Sequence, residues 1–206
     1  GSGTNPPVIT TAAAVSPNPV LGRTASLTVT ANDDGTEANL SYTWSATGPA
    51  PVAFSPNGSN AAKASTATFS TDGSYVLTVT VRDGTARTVT GTVNVTVQPI
   101  YSFLRMVPVT VSVPAGGKQQ FTATQRDQFD RVLASPQPVT WMVPFGGSIN
   151  STGLFTAQTS PGGPFVVQSS AGGLSTSSTV AVGQPAPAAG DTTPPSVTLV
   201  LPATAG

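Results

Sequence analysis

The stretch Gly73-Ser-Tyr75-Val-Leu-Thr-Val-Thr-Val-Arg-Asp83-Gly84, with Val89, Val93, Val95 and Val97 after it, decides the fold. Leu77, Val79 and Val81 fall on alternate positions, which is the period of a strand that buries one face. Asp83-Gly84 supplies hairpin chemistry between two such strands. Working back toward the N-terminus, Leu27, Val29 and Ala31 alternate with Thr28, Thr30 and Asn32, and Leu40, Tyr42 and Trp44 share a face. Residues 8–15 read as a first strand. The turn clusters Ser16-Pro-Asn-Pro19, Asn32-Asp-Asp-Gly35, Gly48-Pro-Ala-Pro51 and Thr71-Asp-Gly-Ser74 punctuate these runs. No helical period of any length interrupts them, so the chain is all-β.

The pattern is written twice. Phe121-Thr-Ala-Thr-Gln-Arg-Asp127, Val139-Thr-Trp141 and Phe165-Val-Val-Gln-Ser-Ser170 repeat the order of the first half, with strands expected near 106–113, 118–126, 138–144, 154–157, 164–170 and 174–182. Trp44 and Trp141 stand 97 positions apart, about the ~100 residues of an immunoglobulin-like sandwich, in which a central-strand tryptophan is buried. Two tandem immunoglobulin-like β-sandwiches follow, over 5–98 and 99–183. A C-terminal extended strand is expected beyond them, in a Pro/Ala-rich segment at 184–206. Gln98-Pro99-Ile100 joins the copies, and Ile100, Tyr101, Phe103 and Leu104 follow at once. A flexible linker would be Gly/Ser-rich and poor in apolar residues, so a stiff, partly packed junction is expected.

Charged residues are 8% of the 206 positions and net charge is zero, against about 25% charged in ordinary domains. The surface must therefore be hydrated through hydroxyls and amides. Nothing forms the basic footprint that a phosphate backbone requires, so nucleic acid is not an expected partner. No run approaches the ~20 apolar residues of a membrane span. Histidine and cysteine are both absent. That removes the commonest general base, the commonest transition-metal ligand and all thiolate chemistry, and it points away from an enzyme. Gly1-Ser2-Gly3 reads as a flexible leader.

At these residues the chain resembles known families. Gly73-Ser-Tyr75 through Asp83-Gly84, with Leu40-Ser-Tyr-Thr-Trp44, is similar to the late and central strands of PKD-type or cadherin-like domains, although Ser45-Ala-Thr-Gly48 replaces the continuation usual in PKD. Gly117-Lys-Gln-Gln-Phe121-Thr-Ala-Thr124, Val139-Thr-Trp141 and Ile149-Asn-Ser-Thr-Gly153-Leu-Phe-Thr-Ala157 resemble bacterial Ig-like group 2 domains, and Asp191-Thr-Thr-Pro-Pro195 looks like the opening of a further module. The resemblance implies an extracellular or cell-surface bacterial protein.

Asp33, Asp34 and Glu37 lie in one turn, where cadherin-like modules hold Ca²⁺, a hard ion wanting six to eight oxygens. The alternative is a solvated turn whose carboxylates bond their own backbone. No other cofactor is expected. Asp127 and Asp130 fill the corresponding turn of the second copy, where flanking Arg126 and Arg131 favour ion pairing. Phe129 and Phe145, beside turn residues, are candidate ligand loops for polysaccharide. Lys63 and Lys118 are considered for an intramolecular isopeptide bond with an Asn, a reaction that needs a buried carboxylic acid to shuttle protons. Asn39, Asn57, Asn94 and Asn150 begin N-x-S/T sequons, which a Ser/Thr-rich chain produces by composition.

In the tail, Val197, Leu199 and Leu201 would share one face. They are read either as the first strand of a third module or as a donor strand for an open sheet edge on a neighbouring copy. The chain thus reads as a non-catalytic structural spacer of a multidomain surface or secreted protein, whose partners are neighbouring Ig-like modules of the same or an identical chain. The alternatives are a subunit of a self-assembling fibre joined through residues 196–201, and a carbohydrate-binding accessory module of a polysaccharide-degrading enzyme.

Overall fold

The computed structural model describes residues 4–183, and its elements are nearly all strands: sixteen, with two short 3-10 turns at Glu37–Asn39 and Asn60–Lys63. Val197, Leu199 and Leu201 lie outside the described residues. The strands group into two compact units that are not contiguous in sequence. The first gathers residues 4–105 with Thr124–Pro138 and Ala171–Leu174, and the second holds 106–123, 139–170 and 175–183.

In the first unit, β1 (Val8–Ser16), β2 (Thr24–Asn32), β5 (Ala64–Thr68) and β4 (Ala53–Ser55) form one sheet in the order β1-β2-β5-β4. β3 (Ser41–Thr47), β6 (Gly73–Arg82) and β7 (Thr88–Val97) form the other, in the order β3-β6-β7. Alternation does the sorting. Every second residue of β2 is buried from Ala25 to Ala31, and Tyr75, Leu77, Val79 and Val81 of β6 are buried while Val76 and Arg82 are exposed. Tyr42, Trp44, Val95 and Val97 complete the layer between the sheets. Each large side chain removed from water here contributes roughly 1.5–3 kcal/mol. The outward positions carry threonine and serine, in register as rows such as Thr43–Thr80–Thr90 and Ser45–Thr78–Thr92.

Tyr75 pins one corner of this sandwich. It is fully buried, its hydroxyl donates to the carbonyl of Thr71 at 3.0 Å, and its ring lies 5.0 Å from that of Phe69. A tyrosine at the start of a late strand, bonded back to the preceding corner, is a hallmark of immunoglobulin-like sandwiches. Burial pushes the Tyr75 phenol above its ordinary pKa.

In the second unit β10 (Lys118–Gln120), β14 (Leu154–Ala157) and β13 (Gly147–Ile149) form a sheet in the order β10-β14-β13. β12 (Thr140–Met142), β15 (Gly162–Ala171), β16 (Leu174–Gly183) and β9 (Thr110–Pro114) form another, closed by a parallel pairing of β9 with β16. β8 (Tyr101–Val107) pairs with β11 (Thr122–Asp127), and Tyr101–Arg105 and Thr124–Asp127 of these strands belong to the first unit. Phe121 sits between β10 and β11. It is fully buried against Phe155 and donates its N–H to the Gly153 carbonyl at 2.9 Å. The expected single strand over 118–126 is therefore two strands in different sheets. Three further departures are physical. A strand starts already at Tyr101, ahead of the one expected near 106–113, Gly147–Ile149 forms a strand between those expected at 138–144 and 154–157, and the tryptophan strand at 138–144 shrinks to three residues.

Candidate functional site

The acidic positions show first what the loops do. Asp34 Oδ2 accepts the Thr4 N–H (3.0 Å), the Thr4 hydroxyl (3.1 Å) and the Asn5 amide Nδ2 (3.0 Å). Hydrogen bonding from the Thr4 backbone leads in holding this carboxyl below its usual range. Asp33 Oδ2 accepts the Gly35 N–H at 3.0 Å. Glu37 Oε1 faces elsewhere: it takes Lys63 Nζ (3.0 Å), Asn60 Nδ2 (3.1 Å) and the Tyr42 hydroxyl (3.4 Å). The Lys63 ammonium is the main cause of its lowered pKa. The three carboxylates of the calcium reading are thus each engaged separately. Among the described residues no group of three acidic side chains is placed to hold a metal ion.

Three hairpin turns share one construction. Asp83 Oδ1 accepts the N–H of Thr85 (2.8 Å) and of Arg87 (2.9 Å). Asp127 Oδ1 accepts those of Phe129 (2.8 Å) and Arg131 (2.9 Å), and Asn150 Oδ1 those of Thr152 (3.0 Å) and Leu154 (2.9 Å). The fourth residue is left-handed each time: Ala86 (φ 73°), Asp130 (φ 67°) and Gly153 (φ 82°). Burial acts to raise the Asp83 pKa, but the Arg87 N–H and the Thr85 hydroxyl and N–H outweigh it and hold it low. The Asp127 turn therefore matches Asp83 in geometry. Its second acid, Asp130, pairs at 2.8 Å with Arg105, which does not flank the turn, and at 3.7 Å with the flanking Arg126, while the other flanking arginine, Arg131, pairs with Asp72 instead.

Within the first unit the densest cluster centres on Gln128, a buried amide. Its Oε1 accepts the Ile100 N–H at 2.8 Å, and its Nε2 donates to the Gln98 carbonyl at 2.7 Å and toward that of Gly22 at 3.4 Å. Its backbone carbonyl accepts Arg23 Nε at 2.9 Å and also Arg23 Nη2. The Arg23 guanidinium lies 5.4 Å over the Phe129 ring, and Arg131 pairs with Asp72 at 3.1 Å. The Ile100 N–H and the Gln98 carbonyl are therefore held by one side chain, and the Gln98 N–H by the Val20 carbonyl. Phe129 is packed against the first core and capped by a cation rather than offered to a ligand. Gln125, also buried, holds the Pro-rich stretch after β11 in the same manner, accepting the Gln137 N–H at 2.8 Å.

The two tryptophans part company. Trp44 is 2% exposed, its Nε1 donates to the Ala62 carbonyl at 2.8 Å, and its backbone N–H and carbonyl are both bonded by the Asn57 side chain at 2.7 and 3.0 Å. Trp141 also packs against its core, that of the second unit, but only half-buried, because β12 is a three-residue edge strand. It lines a recess of about 350 Å³ with Thr140, Met142, Gln168, Ser169 and Ser175. Phe145 is 73% exposed. Lys63 lies 3.2 Å from Asn60 Oδ1, yet lysine and glutamate side chains are both more than a third exposed, so no buried acid stands beside it.

Sequence reasoning missed Gln128 and Gln125, whose amides carry no motif, and read Asn57 only as a sequon, not as the side chain that bonds the Trp44 backbone. It also missed the Trp141 recess.

No curated protein matches the sequence. Among solved structures, Drosophila N-cadherin EC1-4 is similar over 86% of this chain and 49% of that chain, at 12% identity and a TM-score of 0.54. Mouse cadherin-23 EC22-24 is similar over 87% of this chain and 64% of that one, at 18% identity and a TM-score of 0.47. Surface layer protein SbsC, domains 1-6, is 19% identical with a TM-score of 0.39, and the chain covers 29% of its length. The N-cadherin likeness is one of fold. Among the described residues no helix is long and apolar enough to cross a membrane. Residues 19–97 match the family described as K319L-like, PKD domain, so the first copy is PKD-like within an all-β, immunoglobulin-like architecture.

Proposed function

We propose that this chain is a non-catalytic structural module of an extracellular multidomain protein, bacterial by its Ig-like group 2 resemblance, that spaces or displays neighbouring domains. The observation that carries the reading is the Gln128 clamp, which fastens Gln98 and Ile100 so that the segment following the PKD-like strands is fixed within its unit. The acidic loops support it as well. Asp33, Asp34, Asp83 and Asp127 hold backbone N–H groups, and Glu37, Asp72 and Asp130 hold cations. Such groups stabilise loops. The fold of tandem cadherin domains, shared over most of the chain, suits the same role.

The test is replacement. In the protein that bears it, residues 5–183 are exchanged for an unrelated two-sandwich segment of similar length, and surface display of the flanking domains is measured. Unchanged display is expected. Loss of display despite a folded replacement would show that the chain does something other than space its neighbours.

A further inference from the structure

The chain has a single Asn-Gly pair, Asn57-Gly58, and it lies along the edge of a sheet. β3 ends the order β3-β6-β7, so the side of it turned away from β6 has no neighbouring strand. Residues 57–59 cover that side instead. The Tyr42 N–H donates to the Ser59 carbonyl at 3.1 Å, and the Tyr42 carbonyl accepts the Gly58 N–H at 2.9 Å. Further along, the Trp44 N–H donates to Asn57 Oδ1 at 2.7 Å, and the Trp44 carbonyl accepts Asn57 Nδ2 at 3.0 Å. An amide serves both Trp44 groups because one of its ends accepts and the other donates, whereas a carboxylate only accepts. Left bare, these backbone groups would be a template for another strand.

The same pair carries a reaction of its own. An asparagine before glycine loses its amide readily, because glycine has no Cβ to crowd the attack. The Gly58 nitrogen, once deprotonated by solvent base, bonds to Asn57 Cγ; the Cγ–Nδ2 bond breaks, ammonia leaves, and a cyclic succinimide remains. Water then opens the ring at the Cγ carbonyl to give aspartate, or at the main-chain carbonyl to give isoaspartate. Asn57, Gly58 and Ser59 are exposed, so solvent base reaches the pair. What holds the reaction back is the edge contact. The Gly58 N–H lies between the Tyr42 carbonyl and Asn57 Oδ1, which it meets at 3.0 Å. Asn57 Cγ cannot turn toward that nitrogen without giving up both Trp44 bonds. We propose that Asn57 is a spontaneous deamidation site gated by the β3 edge: the closed edge protects the amide, and each opening exposes it to a one-way change. Both products keep the edge open. An aspartate sets an acceptor against the Trp44 carbonyl, and an isoaspartate lengthens the main chain ahead of Gly58.

The experiment follows the full chain in mildly alkaline buffer, folded and in guanidinium chloride, by peptide mass spectrometry with isoaspartate detection. Asn57 is expected to convert in the unfolded chain. In the folded chain three hydrogen bonds must first be given up, so conversion should be at least about tenfold slower. Ser65 Oγ donates to the Pro56 carbonyl at 2.7 Å and anchors the loop just ahead of the pair. Ser65→Ala should therefore speed conversion of the folded chain and leave the unfolded rate unchanged. Asn57→Asp should hasten amide hydrogen exchange at Tyr42 and Trp44. Equal rates in the folded and unfolded chains overturn the gate, and an unfolded chain that keeps its Asn57 amide overturns the site. Unchanged exchange at Tyr42 and Trp44 in Asn57→Asp overturns the claim that the product holds the edge open.

Discussion

Gly48 leaves open the space that the Tyr75 ring fills: a Cβ on Gly48 would lie 2.3 Å from Tyr75 Cδ1. The glycine is there for room and not for backbone freedom. Gly48→Ala must therefore displace a buried tyrosine whose hydroxyl is anchored to Thr71. Overpacking of this kind costs about 1–3 kcal/mol, and a denaturant melt should show it. Tyr75→Leu in the same background, which removes the ring, should recover part of the loss.

The matching turns at Asp83 and Asn150 predict what an amide does in place of a carboxylate. Asp83→Asn should keep both backbone bonds, because Asn150 makes the same pair, whereas Asp83→Ala should lower the melting temperature clearly.

Acid should act on these turns with a definite sign. The Asp83, Asp34 and Glu37 carboxyls are held below their ordinary range when folded. The stability they contribute is present above the unfolded carboxylate pKa of about 4 and is lost as pH falls through the lower folded values. Melting curves from pH 7 to pH 2 should show stability falling only at the acid end, less steeply in Asp83→Asn.

Removing the Gln128 side chain strips two backbone groups of their partner. Gln128→Ala should cost about 1–3 kcal/mol, since the Ile100 N–H and the Gln98 carbonyl lose a buried amide. Faster cutting between Gln98 and Tyr101 in limited proteolysis is the local readout, and equal cutting of both proteins would contradict the clamp.

Lys63 stands beside Asn60 and Glu37, yet an isopeptide bond needs a neutral amine and a protonated acid. The Lys63–Glu37 pairing lowers the Glu37 pKa and so keeps that acid ionised. The intact mass of the purified chain should show no loss of ammonia.

How far the sequence could be read depends on the range over which each signal acts. Strand faces are set by neighbours two positions away, so β2, β3, β6 and β7 were legible from the alternation around Leu27, Trp44, Val79 and Val95. β8 was not, because Ile100-Tyr-Ser-Phe-Leu104 is an apolar run without clean alternation. Phe121 reads as an ordinary strand residue, and only the sheet change around it gives it its place. Trp141 looked like Trp44 because the motif is the same. What differs is strand length and edge position, which pairing decides. The Gln128 cluster was hidden for the plainest reason: its partners lie 28, 30 and 105 positions away, and a lone glutamine gives no local sign of them.

The non-contiguous first unit has a consequence for synthesis. Its buried core runs from Val20 to Val97, so the sandwich can close as soon as that length has left the ribosome. Thr124–Pro138 and Ala171–Leu174, which complete the unit, arrive later. Until Gln128 emerges, the Gln98 carbonyl and the Ile100 N–H must keep their bonds to water. A nascent chain arrested before residue 124 should thus carry a formed sandwich with a loose end, and one arrested after residue 174 should have that end secured.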